Sequence, residues 1–182
     1  MRLPNETSTP FALLLRDHAT AVQEFIAVAS QVRGAAWDTP RAPDKWSPAQ
    51  ETKHLTLAMQ AFVRDLRGEG TLRLRGSWWR RRIWHWTVLP WIIKNRRIPR
   101  AVRAPREVRP PDHPGTQVVL LEELRGALQQ LESELIHAQQ LEPKRRVTHP
   151  FFDQMSLEEF LRFAAVHARH HASFVRTALA RA

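Results

Sequence analysis

The sequence contains no cysteine and no tyrosine. Without cysteine it offers no disulfide bond, no thiolate metal site and no cysteine nucleophile. The lack of disulfides fits a reducing compartment, and we expect a cytoplasmic protein. Residues 1–6 also lack the basic and then apolar pattern of a signal peptide, which agrees with that expectation.

Long apolar runs are missing as well. The longest mostly apolar run, residues 84–93, contains His85 and Pro90 and falls well short of the roughly 20 residues of a membrane-spanning helix. Apolar residues nevertheless make up 43% of the chain, which is enough for a buried core. From the length we expect one domain over residues 1–182.

Acidic residues are almost absent from one basic segment. Residues 73–109 contain 12 Arg or Lys residues and a single acidic residue, Glu107, while the rest of the chain is close to neutral. Five of the seven tryptophans and several prolines fall in the surrounding residues 71–114. We interpret residues 71–114 as an insertion between core helices, with a short helix near residues 78–93 followed by an irregular, extended arm.

Three roles fit this insertion. Interleaved tryptophan and arginine suits an anionic membrane surface, where tryptophan lies at the interface and basic residues bind the headgroups. The same composition suits single-stranded nucleic acid, through base stacking and phosphate contacts. The third role is a cover that packs its tryptophans over the core and leaves its arginines in solvent. The sequence favours the cover over either binding role.

Four longer segments have the apolar periodicity of amphipathic helices. They begin near Phe11, Ser47, Thr116 and Ser156. Ser47 with Gln50, and Ser156 with Glu159, have the spacing of a capping box, which marks a helix start. No strand pattern is convincing. We therefore predict an all-α fold, a four-helix bundle with an insertion at about residues 71–114 between helices 2 and 3.

Histidines stand on the apolar faces of two of these helices. His167 and His171 lie four residues, or about one turn, apart in the last helix, and His54 points into the core from the second. A buried imidazole without a partner costs about 1–3 kcal/mol. One metal ion would satisfy all three imidazoles and keep coordination positions open. Core histidines with protein partners are the alternative, His170 offers a competing register, and spacing alone does not decide.

Two stretches carry a resemblance to a known family. Lys-Trp-Ser-Pro-Ala-Gln-Glu-Thr-Lys-His-Leu, residues 45–55, resembles the Trp-Ser … His-Leu segment of the DinB/YfiT-like superfamily. His-Pro-Phe-Phe-Asp-Gln-Met-Ser, residues 149–156, with His-Ala-Arg-His-His, residues 167–171, resembles its His-Pro-x-Phe-Gly … His-x2-His-His ending. The chain departs at Asp153, where glycine is common, and at Phe174, where a glutamine often follows the last histidine.

The resemblance implies a four-helix bundle in which His54, His167 and His171 bind one divalent metal ion, Zn²⁺ or Ni²⁺. It also implies a metal-dependent enzyme, a transferase acting with a low-molecular-weight thiol or a hydrolase, whose ion activates a thiol or water. No carboxylate is clearly on an inward face, so no general acid or base is identified. The alternative function is a non-catalytic module that binds an anionic membrane or nucleic acid through residues 73–109. A homodimer is compatible with either function.

Four further side chains are candidates near the site. We expect Trp46 to pack over the end of the bundle or, as the alternative, to bind substrate. His149 either caps a helix end or lines the mouth of a substrate pocket. His170 lies about 100° around the helix from His171, so we expect it to flank or support the metal ligands. We expect His18 to be a helix-flank histidine with a local partner, with metal ligation as the alternative.

Overall fold

A computed structural model describes residues 9–70, 72–99 and 103–180 of the chain. These residues form α1 (Pro10–Ala29), α2 (Pro48–Leu66), α3 (Trp78–Asn95), α4 (Gln117–Leu141), β1 (Arg146–His149), β2 (Asp153–Ser156) and α5 (Leu157–Leu179). Two short 3-10 turns, Gly34–Trp37 and Arg106–Val108, lie in the connections. Within the described residues, no helix combines the length and the apolar character needed to cross a membrane. The first six residues and part of the predicted arm, residues 100–102, lie outside the described residues.

Four helices form the bundle. α1 packs along α5, α2 packs along α4, and further contacts join α2 to α5 and α1 to α4. Side chains from all four helices, including Phe25, Leu55, Leu131 and Phe160, are almost fully buried between them. The predicted all-α bundle is confirmed, and α3 with the residues after it is the predicted insertion, because it lies between the second and third bundle helices.

Both predicted capping boxes are present, and they start the two helices that carry the inward histidines. At α2 the Gln50 backbone N–H donates to Ser47 Oγ at 3.2 Å, and the Ser47 N–H donates to Gln50 Oε1 at 3.0 Å. At α5 the Glu159 N–H donates to Ser156 Oγ at 3.2 Å, and the Ser156 N–H donates to Glu159 Oε2 at 2.7 Å. Each cap satisfies backbone donors that the first turn leaves unpaired, so the start of each helix is fixed.

A short hairpin precedes α5, and here the expectation of no strands was wrong. β1 and β2 pair antiparallel, with Val147 opposite Met155, and both of these side chains are fully buried. Four-residue strands are too short to show a clear alternation. Asp153 opens β2 at a φ of 61°, in the left-handed region that glycine, asparagine and aspartate adopt most easily. Its carboxylate also accepts a hydrogen bond from Arg81 Nε of α3 at 3.4 Å, a contact that glycine would not make.

The insertion packs only one of its five tryptophans, Trp84, against the core. α3 attaches through one face, on which Leu89 and Ile92 are buried and His85 Nδ1–H donates to the Phe152 carbonyl at 2.8 Å. Of its five tryptophans only Trp84 is partly buried. The other four are 46–69% exposed: Trp78, Trp79, Trp86 and Trp91. The expectation of a packed cover is therefore wrong for four of the five tryptophans.

The second half of the insertion returns to the bundle. Pro105, Val108 and Pro110 are buried, and the turn Arg106–Val108 contacts α2. α4 then begins after Thr116, as predicted. The insertion is thus part of the wall around the inward-facing histidines.

Candidate metal centre

Three histidines meet at the interface of α2 and α5. His54 Nε2 lies 3.4 Å from His167 Nε2, and His171 Nε2 lies 3.0 Å from the same atom. One ring nitrogen from each histidine falls within 4.8 Å of the other two. His54 and His171 are buried, and His167 is partly exposed. The geometry brings together the three residues that the sequence singles out as metal ligands.

The orientation of His54 is set by the insertion. His54 Nδ1 lies 2.7 Å from the backbone carbonyl of Val108. A carbonyl only accepts, so Nδ1 carries the hydrogen and the neutral ring has its lone pair on Nε2. Burial lowers the pKa of His54, so the ring is neutral at pH 7. Val108 belongs to the insertion, so the insertion supplies the atom that fixes the tautomer of this ligand candidate.

The orientation of His171 is set by a buried carboxylate. His171 Nδ1 lies 2.6 Å from Glu51 Oε2, and Glu51 is only 1% exposed. Arg41 binds the other oxygen of Glu51 and favours the ionised carboxylate, which accepts the Nδ1–H of His171. Burial lowers the pKa of His171 well below its usual value, so this ring is neutral as well. Its Nε2 lone pair points toward His167.

Glu51 is the functional side chain that the sequence analysis missed. Burial raises its pKa to about 7, although the charge and the hydrogen bond of Arg41 act in the opposite direction. The guanidinium of Arg41 also lies 3.8 Å from the ring centre of Phe174, and this cation–π contact helps to hold the guanidinium beside the carboxyl group of Glu51. Glu51 lies four residues, or about one turn, before Leu55, so it continues the apolar stripe of α2 toward the start of the helix. Extending that stripe by one turn would have identified Glu51 as an inward-facing carboxylate.

The three imidazoles fit a cation better than they fit one another. Burial and the neighbouring histidines lower the pKa of His167, so its ring is neutral. A neutral imidazole carries a hydrogen on only one of its two nitrogens. Two Nε2 lone pairs therefore face His167 Nε2, which offers at most one hydrogen to both. Nitrogens about 2.1 Å from one ion are about 3.0 Å apart at a right angle and about 3.4 Å apart at a tetrahedral angle. Both separations at His167 Nε2, 3.4 Å to His54 and 3.0 Å to His171, fall in that range, and the three ring nitrogens lie within 4.8 Å of one another, so these residues could hold a divalent metal ion.

Trp46 and His170 lie beside the ligand candidates. The ring of Trp46 is 4.8 Å from that of His54 and 6.3 Å from that of His171, nearly parallel to the latter. Trp46 therefore packs against two of the ligand candidates, and its role in substrate binding stays a prediction. His170 meets His171 edge-on at 5.6 Å and Phe174 at 4.4 Å, which places it at the flank, next to the ligand candidates.

His149 and His18 both line the cleft beside the three histidines. His149 ends β1, where its ring stacks on Phe152 at 4.6 Å and burial lowers its pKa to about 3. His18 is 1% exposed, and within the described part of the chain its Nδ1 has no hydrogen-bond partner. Burial lowers the pKa of His18 to about 4. Neither belongs to the cluster whose nitrogens can share one ion.

The three histidines open onto a large cleft of about 1490 Å³ between the bundle and the insertion. The bundle contributes aromatic and aliphatic side chains such as Phe62 and Phe163, and the insertion contributes Trp84, Val88 and Ile98. A metal ion on three imidazoles would keep open positions toward this mostly apolar space.

One family model, described as the DinB superfamily, matches residues 17–175. No curated protein and no solved structure matches the chain. The match covers α2, most of α5 and all three histidines, and it extends over far more than half of the sequence. The chain belongs to the DinB superfamily.

Proposed function

We propose that the protein is a metal-dependent enzyme in which His54, His167 and His171 hold one divalent ion, Zn²⁺ or Ni²⁺. The observation that carries the proposal is the pair of buried Nε2 lone pairs that face a third neutral imidazole. An imidazole left without a partner in a core costs about 1–3 kcal/mol, and a shared cation removes that cost for all three. Imidazole suits both Zn²⁺ and Ni²⁺.

The chemistry that such an ion supplies is to lower the pKa of a thiol or a water molecule, which becomes a nucleophile near neutral pH. We propose transfer to a low-molecular-weight thiol, or hydrolysis, as the reaction type. The chain contributes orientation: Val108 and Glu51 each hold one Nδ1–H, so the Nε2 lone pairs of His54 and His171 stay available. Arg41 opposes the effect of burial on the pKa of Glu51 and holds its carboxyl group in place. Glu51 is therefore a positioning residue, and its carboxylate acts through His171.

The cleft favours a substrate with an apolar part. Apolar walls exclude water, which strengthens the electrostatic effect of the site on a developing negative charge. Trp84 and Val88 belong to this wall, so the insertion takes part in binding the substrate. Trp46 and His149 border the same space and would contact a bound molecule.

Cobalt substitution tests this proposal. The Co²⁺-loaded protein should show visible absorption typical of a low-coordinate site. A low-molecular-weight thiol should then add a thiolate-to-cobalt charge-transfer band in the near ultraviolet. His54→Ala should lose both signals, whereas the control His137→Ala, an exposed histidine on α4, should keep them. A cobalt spectrum that no thiol alters would contradict the thiol chemistry, and an identical spectrum in His54→Ala would contradict the site.

A further inference from the structure

The outer face of α3 carries an apolar stripe in contact with solvent. Trp79, Ile83, Trp86 and Pro90 recur at i, i+4, i+7 and i+11, so they lie along one side of the helix. All four are exposed, and the two tryptophans and the isoleucine are among the large apolar side chains that the fold leaves uncovered. A contiguous stripe of this kind indicates an interaction surface.

The fold fixes this stripe in its outward orientation. On the opposite side of α3, His85 Nδ1–H donates to the Phe152 carbonyl, and His85 Nε2 lies 3.2 Å from Glu159 Oε1 of α5. Arg81 pairs with Asp153 at the turn of the hairpin. Leu89 and Ile92 are buried against the rest of the protein. Polar and apolar anchors along the helix therefore prevent it from turning its tryptophans inward.

Basic side chains border the stripe. Arg82 lies on one side of it, Lys94 lies on the other, and Arg97 follows the end of the helix, all of them exposed. Residues 72–99 contain no aspartate or glutamate at all. The partner of this surface must therefore be apolar along its centre and anionic around it.

We infer that α3 docks on an anionic phospholipid bilayer. Trp79, Ile83 and Trp86 enter the interfacial layer, and the bordering Arg and Lys side chains bind lipid phosphates and acidic headgroups. Tryptophan suits this position because its ring is amphipathic, and the long basic side chains reach from a helix axis up to the headgroups.

Two other partners fit this surface less well. A second copy of the chain would bring the same basic residues against Arg82 and Lys94, and like charges repel. Single-stranded nucleic acid is bound in grooves where cations line the path of the stacking rings. Here the rings follow a convex helix whose centre, at Ile83 and Pro90, is apolar, and the cations lie to the sides.

Vesicle flotation tests the inference, with phosphatidylcholine vesicles made with and without phosphatidylserine. The wild-type protein should float with the phosphatidylserine vesicles and be released by salt. The double variant Trp79→Ala/Trp86→Ala should bind at least about 10-fold more weakly, because it loses the apolar anchors. The triple variant Arg82→Gln/Lys94→Gln/Arg97→Gln should bind on the order of 100-fold more weakly, since each basic residue near such a surface contributes about 5-fold.

Matched variants elsewhere on the surface control for general changes in hydrophobicity and charge. Val118→Ala/Leu141→Ala removes two exposed apolar side chains from α4, and Arg33→Gln/Lys144→Gln/Arg176→Gln removes three exposed positive charges. Both should float as the wild type does. Thermal melting and metal content should be unchanged in every variant, since all the altered side chains are exposed.

Several results would overturn the inference. The first is a wild-type protein that does not float with either kind of vesicle. The second is an equal loss of binding in the matched variants. Binding to a single-stranded oligonucleotide without vesicle binding would identify a nucleic-acid surface instead. A concentration-dependent dimer that the Trp79→Ala/Trp86→Ala variant abolishes, again without vesicle binding, would identify a contact between copies of the chain.

Discussion

Replacing Glu51 with glutamine should weaken metal binding without touching a ligand. The amide has nearly the shape of the carboxyl group, so the packing of this buried side chain is preserved. It removes the ionisable carboxyl group that lies 2.6 Å from His171 Nδ1 and against Arg41. The Nδ1–H of His171 then loses a charged acceptor, and Arg41 remains beside a neutral group.

The size of the effect follows from the position of Glu51 behind a ligand. Partners that hold the far nitrogen of a metal-bound imidazole typically change metal affinity 10- to 100-fold, which is about 1.4 to 2.7 kcal/mol. Glu51 is almost fully buried, so water does not replace it and we expect a value in this range. The charge of Arg41, left uncompensated near the ion, acts in the same direction.

Competition titration of Zn²⁺ against a fluorescent chelator measures the change. Glu51→Gln should weaken Zn²⁺ binding by the stated factor, while Glu122→Gln, which alters an exposed carboxylate on α4, should not. If Glu51 acts through His171, the double variant Glu51→Gln/His171→Ala should bind no more weakly than His171→Ala alone. An unchanged affinity in Glu51→Gln, or full additivity in the double variant, would refute the reasoning.

Three further outcomes are expected. First, His18 is neutral and buried with a pKa of about 4, and the unfolded chain takes up a proton below about pH 6.5, so acidification should destabilise the fold. In urea titrations, the wild-type protein should lose about 2 kcal/mol more unfolding free energy between pH 7 and pH 5 than His18→Leu does, and an equal loss in the two proteins would contradict this. Second, Trp84→Ala should lower the unfolding free energy by about 2–3 kcal/mol because Trp84 is half-buried against Phe151, whereas Trp86→Ala should stay within about 0.5 kcal/mol; equal effects would contradict the orientation of α3. Third, removing the ion with a chelator should lower the melting temperature, and Zn²⁺ at about 100 times its dissociation constant should restore about 2.7 kcal/mol of unfolding free energy. An unchanged melting temperature would contradict preferential metal binding to the folded protein.

Much of the fold follows from local signals in the sequence. The capping boxes at Ser47 and Ser156 and the apolar periodicity behind them identify α2 and α5, because these signals act within one or two turns. The inward register of His54 and His171 follows from the same periodicity. The short strands β1 and β2 did not follow, since their pairing depends on a turn with Asp153 in the left-handed region.

The parts of the site that the sequence does not reveal come from distant segments. Val108 is 54 residues from His54, and no local pattern indicates that its carbonyl holds the imidazole. Glu51 and His171 are 120 residues apart in the chain. The exposure of the tryptophans on α3 is also set by tertiary contacts, because composition alone does not tell which face of a helix packs.

Metal analysis of protein purified without an affinity tag tests the central claim most directly. The wild-type protein and the His137→Ala control should each contain about one equivalent of Zn²⁺ or Ni²⁺ after reconstitution and desalting. His54→Ala, with its fold verified by circular dichroism, should retain less than about a tenth of that amount, because the loss of one of three imidazole ligands weakens the site severely. A wild-type protein that retains no stoichiometric metal, or a His54→Ala variant that retains as much as the wild type, would contradict a three-histidine metal centre.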